Sequence, residues 1–517
     1  MVFALVYAIP TFWTTPENGG RIFNSPDESA NFFFTKLFTE KNSLEYPEPL
    51  NQQFENTIHP RAIRVSEKGN LVLESFQGIV FIYGVIAKFF GTWSIVYITP
   101  LFSLFGVLFF YKLLKEIFSE KISLFSSLLL LFFPGWWYYN SRTMFHNVLF
   151  INLIIFSLYN LLKSQGEKRY FHIVVSSVFL GLALCARTSE AIWVVPLFIL
   201  ILFFGTPKKS WRHLLAFLFV LMIFFISIFY LNKTLFGNIF TGGYVIPGEF
   251  HTMKSALKVI FPLGLSIKKS FIHFFQYYPI LFWWYYIPFF FGSLITIVQW
   301  KKISKSQKQY FIIFFSVSVF LSLYYGSWDI RDSISHEKIT IGTSYVRYWL
   351  PMYIFSLPYV ALCFDKIFKS ILSLRFRVAW SFAFWGIIVF LSYSLVWLKG
   401  DESLSHIQKS IQGYYIKREA VSRIIAEDSF IITEKSDKVF FPEFKILIGP
   451  FDQKIINVAK KILNNDYPLY YYTHLNEKDL EKTRSNLLEN QIFMKERTKI
   501  FDNEYIYTLA AGPKKKE

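Results

Sequence analysis

Two adjacent carboxylates, Asp27 and Glu28, follow Pro26 in the segment FNSPDESANFFFTKLF. Neighbouring acids can divide labour, one meeting a reacting hydroxyl as a base while the other holds a helix or a ligand. The same position suits a helix cap, because an acid in the first turn satisfies amides that lack an intrahelical partner. On the residues alone both readings stand. His59, Arg61 and Arg64 follow in the stretch HPRAIR. A guanidinium fork there suits a phosphate, whereas for Arg64 an ordinary solvated loop charge is the preferred reading. Further along come Arg142 in YYNSRTMFHN, Arg187 and Glu190 in LALCARTSEAIW, and Arg347 in TSYVRYWLPMY, with Tyr345 and Tyr348 on either side of it. Arg187 and Glu190, three apart, can simply pair on one helical face. An arginine between tyrosines is also what an interfacial anchor looks like.

What must position these groups is a set of apolar helices. Of 517 residues, 53% are hydrophobic, 21% aromatic and only 17% charged, against about a quarter charged in an ordinary soluble domain. Stretches such as Ile122 to Phe133, Leu214 to Leu231 and Tyr310 to Tyr325 show no amphipathic period. In hydrocarbon a helix satisfies its own backbone, and barrel strands would alternate. The formal charge of +18 would suggest a nucleic acid partner on a soluble chain. From Asp401 onward, however, 19 Lys and Arg face 18 Asp and Glu, so the excess belongs to the apolar half. There it follows the positive-inside rule, and no nucleic acid partner is expected. Cys185 and Cys363 lie in or at the ends of apolar stretches and suggest neither a disulfide framework nor a metal cluster.

Spans are expected at Met1–Thr14 (a shortened first helix), Trp93–Tyr111, Ile122–Tyr139, Met144–Leu162, Phe171–Ala186, Ala191–Phe204, Leu214–Leu231, Ile280–Val298, Phe311–Tyr325, Val346–Phe364 and Val378–Leu398. Phe76–Phe90 is short enough to be an interfacial helix. Alternate loops, KLLKEIFSEK, KSQGEKR, PKKSWR, KKISKSQK and Asp365 to Arg377, together hold 17 Lys and Arg against 4 acids. These are the cytoplasmic loops. The loop Lys233 to Gln276, with five Lys and one Glu, is the exception on the other side. The expected architecture is an all-α polytopic membrane protein of about eleven transmembrane helices with a small carboxy-terminal α/β soluble domain. Residues 1–398 form the membrane domain, with a first outer loop at 15–74, and residues 399–517 an extracytoplasmic α/β domain. The amino terminus is cytoplasmic, in a multi-pass cell membrane protein. Within the last domain the expected elements are strands Phe430–Ile432, Leu469–Tyr472 and Tyr505–Leu509 and helices Gln453–Asn465 and Glu477–Glu489.

The order of PDESANFFF, ESFQGIVFIYGVIAKFFGTWSIVYITPLFSLFGVLFFYKLLKEIF, FPGWWYYNSRTMFHN, GLALCARTSEAIWVVP and YVRYWLP resembles the polyprenyl-phosphate-sugar-dependent glycosyltransferases of the C superfamily. It resembles family 39 especially, whose better-known relatives are protein O-mannosyltransferases and lipid A aminoarabinose transferases. The resemblance covers about Met1 to Leu398. It implies inverting transfer of a sugar from a polyprenyl phosphate to an acceptor hydroxyl on a protein, glycan or lipid, outside the membrane. In that family the acid of the first outer loop is catalytic, which falls on Asp27, with Glu28 completing the pair. Arg187 and Arg347 are then candidates to clamp the phosphate, with Arg142, His59, Arg61, Glu190 and Tyr345 lining the substrate site. Two departures stand out. Many relatives carry another acid where this chain has His146 and Asn147, and HPR replaces the double proline of the mannosyltransferases. No metal and no cofactor is expected; membrane lipids are partners. A transporter or lipid flippase is the competing reading, and would favour inverted repeats and mid-membrane charge in broken helices, neither of which occurs. An inactive relative that only binds the lipid would keep the architecture and dispense with Asp27.

Overall fold

The computed structural model describes residues 21–164, 168–204, 211–242, 261, 264–330, 339–371 and 374–512. The expected first span, Met1–Thr14, lies outside them. Internal contacts divide the chain into two compact units, each discontinuous in sequence. Among the described residues, one unit gathers 96–230 and 261–407, the other 21–95, 231–242 and 408–512.

The first unit is helical. Seven described helices are long and apolar enough to cross a membrane: Thr92–Lys115, His146–Lys163, Arg169–Ala186, Trp211–Phe236, Lys305–Gly326, Leu350–Lys369 and Ala379–Leu398. Two further pairs reach nine if each bent pair is one span. The chain is a multi-pass membrane protein, and the eleven expected spans differ from nine in two places. One is Met1–Thr14. The other is Ala191–Phe204, which is helical but, at 14 residues, shorter than the ~20 residues a bilayer asks for.

Both bent pairs have a proline at or near the break. The expected span Ile122–Tyr139 is two helices, Glu120–Phe132 and Pro134–Arg142, meeting at 52°. Phe133 between them is extended, at φ −64° and ψ 122°, because the ring of a proline disfavours helical geometry in the residue before it. The expected span Ile280–Val298 begins earlier, at Ile267, passes through a π-helical turn Gln276–Ile280 containing Pro279, and bends by 102° before Trp283–Val298. The missing amide and ring clash of proline account for such breaks.

Helix His146–Lys163 is buried along nearly its whole length. Several of its polar side chains bond within the helix or to a neighbouring element. The Asn152 amide donates to Val148 O at 2.9 Å and the Asn160 amide to Phe156 O at 2.9 Å. Ser157 and Ser176 each donate to the other's carbonyl, at 2.6 and 2.9 Å, a small-residue seam typical of helices packed in lipid.

The second unit is an α/β structure. A small antiparallel sheet comes first in sequence, built from β1 (Glu45–Tyr46), β2 (Ile63–Val65) and β3 (Leu71–Leu73). Phe76–Phe90, which follows it, is helical from Gly78. Five further strands, β4 (Phe430–Thr433), β5 (Lys445–Ile448), β6 (Leu469–Thr473), β7 (Ile492–Phe501) and β8 (Glu504–Ala511), form a sheet of order β5-β4-β6-β8-β7. The first three are parallel and the last two antiparallel. Strand β4 is buried on both faces, as the centre of a parallel sheet requires. One face packs Phe430, Ile432, Leu447 and Tyr471 against helices Gln453–Asn464 and Glu477–Glu489, and the same core takes in Phe54 and Ile58. The other face buries Ile431, Ile446, Phe440 and Tyr472. Strands β5 and β7 are additions to the sequence reading. The first has four residues, and the second carries the exposed polar run Lys495, Glu496 and Arg497 at a sheet edge, where no alternation betrays it.

Candidate functional site

Three arginines of the helical unit share two aromatic rings. Arg187 follows the end of helix Arg169–Ala186 and opens a single 3₁₀ turn, Thr188–Glu190. Residues three apart eclipse on such a turn, so Arg187 Nε donates to Glu190 Oε1 at 2.9 Å and a terminal nitrogen lies 2.8 Å from the same oxygen. Both side chains are buried, 8% and 5% exposed. Trp193 Nε1 donates to Glu190 Oε2 at 2.5 Å, and the Tyr325 hydroxyl donates to Oε1 while accepting from Arg187 at 3.1 Å. The Arg187 guanidinium stands 5.0 Å from the Tyr348 ring centroid, and Tyr348 in turn stacks on Tyr325 at 4.6 Å.

Arg347 lies on the short helix Ser344–Tyr348, its Nε donating to Ser344 Oγ at 2.9 Å. Its guanidinium is 5.3 Å from the Tyr348 centroid and 4.9 Å from that of Phe145. Arg142 ends helix Pro134–Arg142 and donates to the Tyr138 hydroxyl at 3.0 Å. It too stands 4.9 Å from the Phe145 centroid. Sharing that ring puts the Arg142 and Arg347 guanidinium carbons no more than about 10 Å apart, and the Tyr348 ring links Arg347 to Arg187 in the same way. Sequence reasoning named the three arginines separately. The rings that join them are Tyr348, which the sequence sets beside Arg347, and Phe145, three residues after Arg142, while Tyr325 belongs to a separate helix with no sequence signal linking it to Arg187.

The link between Arg142 and helix His146–Lys163 is tight. Thr143 has φ +65° and ψ −147°, close to a region kept almost entirely to glycine, and a β-branched residue there stores roughly 1–3 kcal/mol. Phe145 N donates to Thr143 O across the turn. Tyr345, also a candidate, is 2% exposed. Its hydroxyl donates to Trp328 O, and its ring lies 4.5 Å from His273 and 4.9 Å from Tyr277. These contacts join Tyr345, on the short helix that carries Arg347, to the bent pair that starts at Ile267.

The other candidates belong to the α/β unit. Ser25 caps helix Pro26–Lys41, and Glu28 Oε2 accepts the Ser25 N–H at 3.0 Å. Glu28 is 2% exposed, so the cap expected of the acidic pair falls to it, while Asp27 in the same first turn is half-buried. Arg61 donates to Asp437 through Nε at 2.9 Å, through a terminal nitrogen at 2.6 Å and through its backbone N–H at 2.9 Å, and donates also to Lys435 O at 2.6 Å. Asp437 is fully buried, so this pair ties the early polar stretch to the segment after β4. His59 sits beside it, Nδ1 3.1 Å from Pro60 O, and burial pushes its imidazole below the ordinary value. Arg64 pairs with Glu74 at 3.2 Å. Among the described residues, no group of three His, Cys, Asp or Glu is placed to hold a metal ion.

Comparison with known proteins places this geometry in a context. The family model for dolichyl-phosphate-mannose-protein mannosyltransferase matches residues 79–230. No curated protein sequence matches the chain. Among solved structures, the apo oligosaccharyltransferase of Archaeoglobus fulgidus superimposes with a TM-score of 0.58 at 12% identity, covering 91% of this chain and 68% of that one. The same enzyme determined with an inhibitory peptide and a dolichol-phosphate gives 0.55 at 10% identity, with the same coverage of 91% and 68%. A third form, tethered to an acceptor peptide, gives 0.57 at 11%, again covering 91% and 68%. At such identities the structural likeness is one of fold. The resemblance read from the sequence is therefore borne out twice, by a mannosyltransferase family model over 79–230 and by the fold of an archaeal oligosaccharyltransferase, both C-superfamily glycosyltransferases.

Proposed function

We propose that this protein transfers a sugar from a polyprenyl-phosphate donor to an acceptor hydroxyl on the outer side of the membrane, with inversion at the anomeric carbon. The acceptor belongs to a protein, a glycan or a lipid, and residues 15–74 and 399–517 lie on that outer side. The observation that carries the reading is the gathering of Arg142, Arg187 and Arg347 on the Phe145 and Tyr348 rings. Ring faces pre-orient guanidinium planes at little entropic cost, and an oriented fork of donors matches phosphate oxygens two at a time. In a water-poor site such donors stabilise charge as it develops on a leaving group.

In this scheme the acceptor oxygen bonds to the anomeric carbon as the bond from that carbon to the phosphate oxygen breaks. The Asp27 carboxylate takes the acceptor proton, and Arg187 and Arg347 hold the departing polyprenyl phosphate. Glu28 serves Asp27 by capping the helix that carries both. The experiment is mass spectrometry of lipids that co-purify with the protein, followed by transfer assays on the reconstituted enzyme. A bound polyprenyl-phosphate sugar supports the class and identifies the donor. Asp27→Asn is expected to abolish transfer while leaving abundance and donor binding near parental, and parental transfer by that variant removes Asp27 as the base. Arg347→Ala is expected to weaken donor binding more than acceptor binding.

A further inference from the structure

We propose that the turn joining helices Pro134–Arg142 and His146–Lys163 is the seat of the donor's phosphate and that the Thr143 hydroxyl is one of the groups that bind it. The inference rests on the reading of the chain as a transferase of lipid-phosphate sugars, and adds to the arginines a neutral donor and a backbone site. Thr143 is 2% exposed, yet its Oγ1 has no hydrogen-bond partner among the described residues, and neighbouring Ser141, 1% exposed, has an unpartnered Oγ as well. Buried hydroxyls ordinarily find partners, so an orphaned one in a polar turn points to a group that is absent from the protein itself.

Three further features agree on the chemistry of that group. The turn opens an 18-residue helix, His146–Lys163, whose first amides lack intrahelical acceptors and whose dipole favours an anion. The turn begins at Arg142 and includes Phe145, so the ring that carries both the Arg142 and the Arg347 guanidinium groups, each 4.9 Å from its centroid, is part of the same four residues. Two guanidinium groups exclude a cation and favour an oxyanion. Finally, glycine would adopt φ +65° at this place without strain. A threonine held there keeps a hydroxyl that glycine lacks, directly after one phosphate-binding side chain. The absent group is thus a phosphate ester: one oxygen accepts from Thr143, others face the arginines and the helix amides.

The test uses the full-length protein in phosphatidylcholine nanodiscs titrated with farnesyl phosphate, with farnesol as the uncharged control and inorganic phosphate and phosphatidylglycerol as competitors. Thr143→Val keeps the branched shape and the strained backbone and removes only the hydroxyl. It is expected to bind farnesyl phosphate about 10- to 100-fold more weakly, the range for losing a hydrogen bond to a charged group. Thr143→Ser is expected to bind within about threefold of the parent, since the donor survives. Thr143→Gly relieves the backbone, so it should unfold at a higher temperature than the parent while binding as weakly as the valine variant. A purely structural threonine would not separate these two readouts. Competition by inorganic phosphate that weakens in Thr143→Val supports the assignment. Valine and glycine variants binding as tightly as the parent overturn it, as does displacement by phosphatidylglycerol at parity with farnesyl phosphate, which would make the turn a general headgroup site. If the parent itself prefers farnesyl phosphate no more than farnesol, the transferase reading falls with it; if the parent binds and the substitutions are silent, only the role of the turn falls.

Discussion

Removing the charge of Glu190 tests whether Arg187 is held by its carboxylate or by packing. The pair is buried, with side chains 8% and 5% exposed and nitrogens 2.8 and 2.9 Å from one oxygen, so solvent screens it little. Glu190→Leu leaves a guanidinium buried without that counter-ion, at a cost of about 3–5 kcal/mol. It also strands the Trp193 and Tyr325 donors, which now aim at Glu190. Arg187→Met is expected to fall at the low end of the same range, because those two donors still satisfy the carboxylate. The double variant removes both charges and should recover about 2–3 kcal/mol relative to the sum of the singles. Unfolding is read with a thiol-reactive fluorogenic dye, since Cys185 and Cys363 are the only cysteines and neither is exposed. Donor affinity is measured on the same samples. Recovery of stability without recovery of binding in the double variant is the expected result, because the fork itself is gone. Additivity of the two single losses to within about 0.5 kcal/mol would refute the coupling and leave Glu190 as one packing residue among several.

Two further outcomes follow from groups outside this pair. Burial lowers the His59 imidazole below 6.5, so between the unfolded value and the folded one the unfolded chain binds the proton and the folded chain does not. Stability is therefore full above about pH 6.5 and declines as pH falls below it, and a denaturation series from about pH 8 to 5 should show this slope in the parent and a shallower one in His59→Gln; equal slopes exclude His59 as the cause. At Gly292 an added Cβ would meet Tyr359 O at 1.8 Å, whereas at Gly386 it would meet nothing within 4 Å. Gly292→Ala should cost about 1–3 kcal/mol or more through forced separation of the two backbones, while Gly386→Ala should gain up to about 1 kcal/mol, both read as shifts of the dye-detected midpoint.

Much of the membrane half was legible because its signal is local. Apolar runs of about twenty residues need no knowledge of partners. The two bends were harder: a hydropathy reading averages over Pro134 and Pro279, whereas the backbone responds to each proline singly. In the α/β unit, strands β4, β6 and β8 showed as compact apolar runs, but β7 is a polar edge whose role depends on pairing with β8. The candidate arginines were found by type and by their place near helix ends. What joins them was not legible, because Tyr325 and Tyr348 lie on separate helices and a ring shared by two guanidinium groups has no sequence period. Asp27 and Glu28 illustrate the same limit, since two adjacent acids in one turn are alike in sequence and only the backbone geometry assigns the cap to Glu28.

The choice of arginine at all three cluster positions has an energetic reason. Two guanidinium charges no more than about 10 Å apart repel by at least roughly 1.7 kcal/mol at an effective dielectric of about 20, so the cluster resists its own assembly. Each ring face returns roughly 0.5–2 kcal/mol to a stacked guanidinium, and Phe145 and Tyr348 each serve two of them. Lysine lacks the planar surface that makes this exchange effective. A phosphate arriving about 4 Å from two such groups gains roughly 4 kcal/mol from each at the same dielectric, which offsets that repulsion. Arg347→Lys keeps the charge and loses the stacked plane, so it should weaken donor binding nearly as much as Arg347→Gln. Donor affinity within about threefold of the parent in Arg347→Lys would mean that charge alone, and not the ring-held fork, is what the lipid phosphate meets.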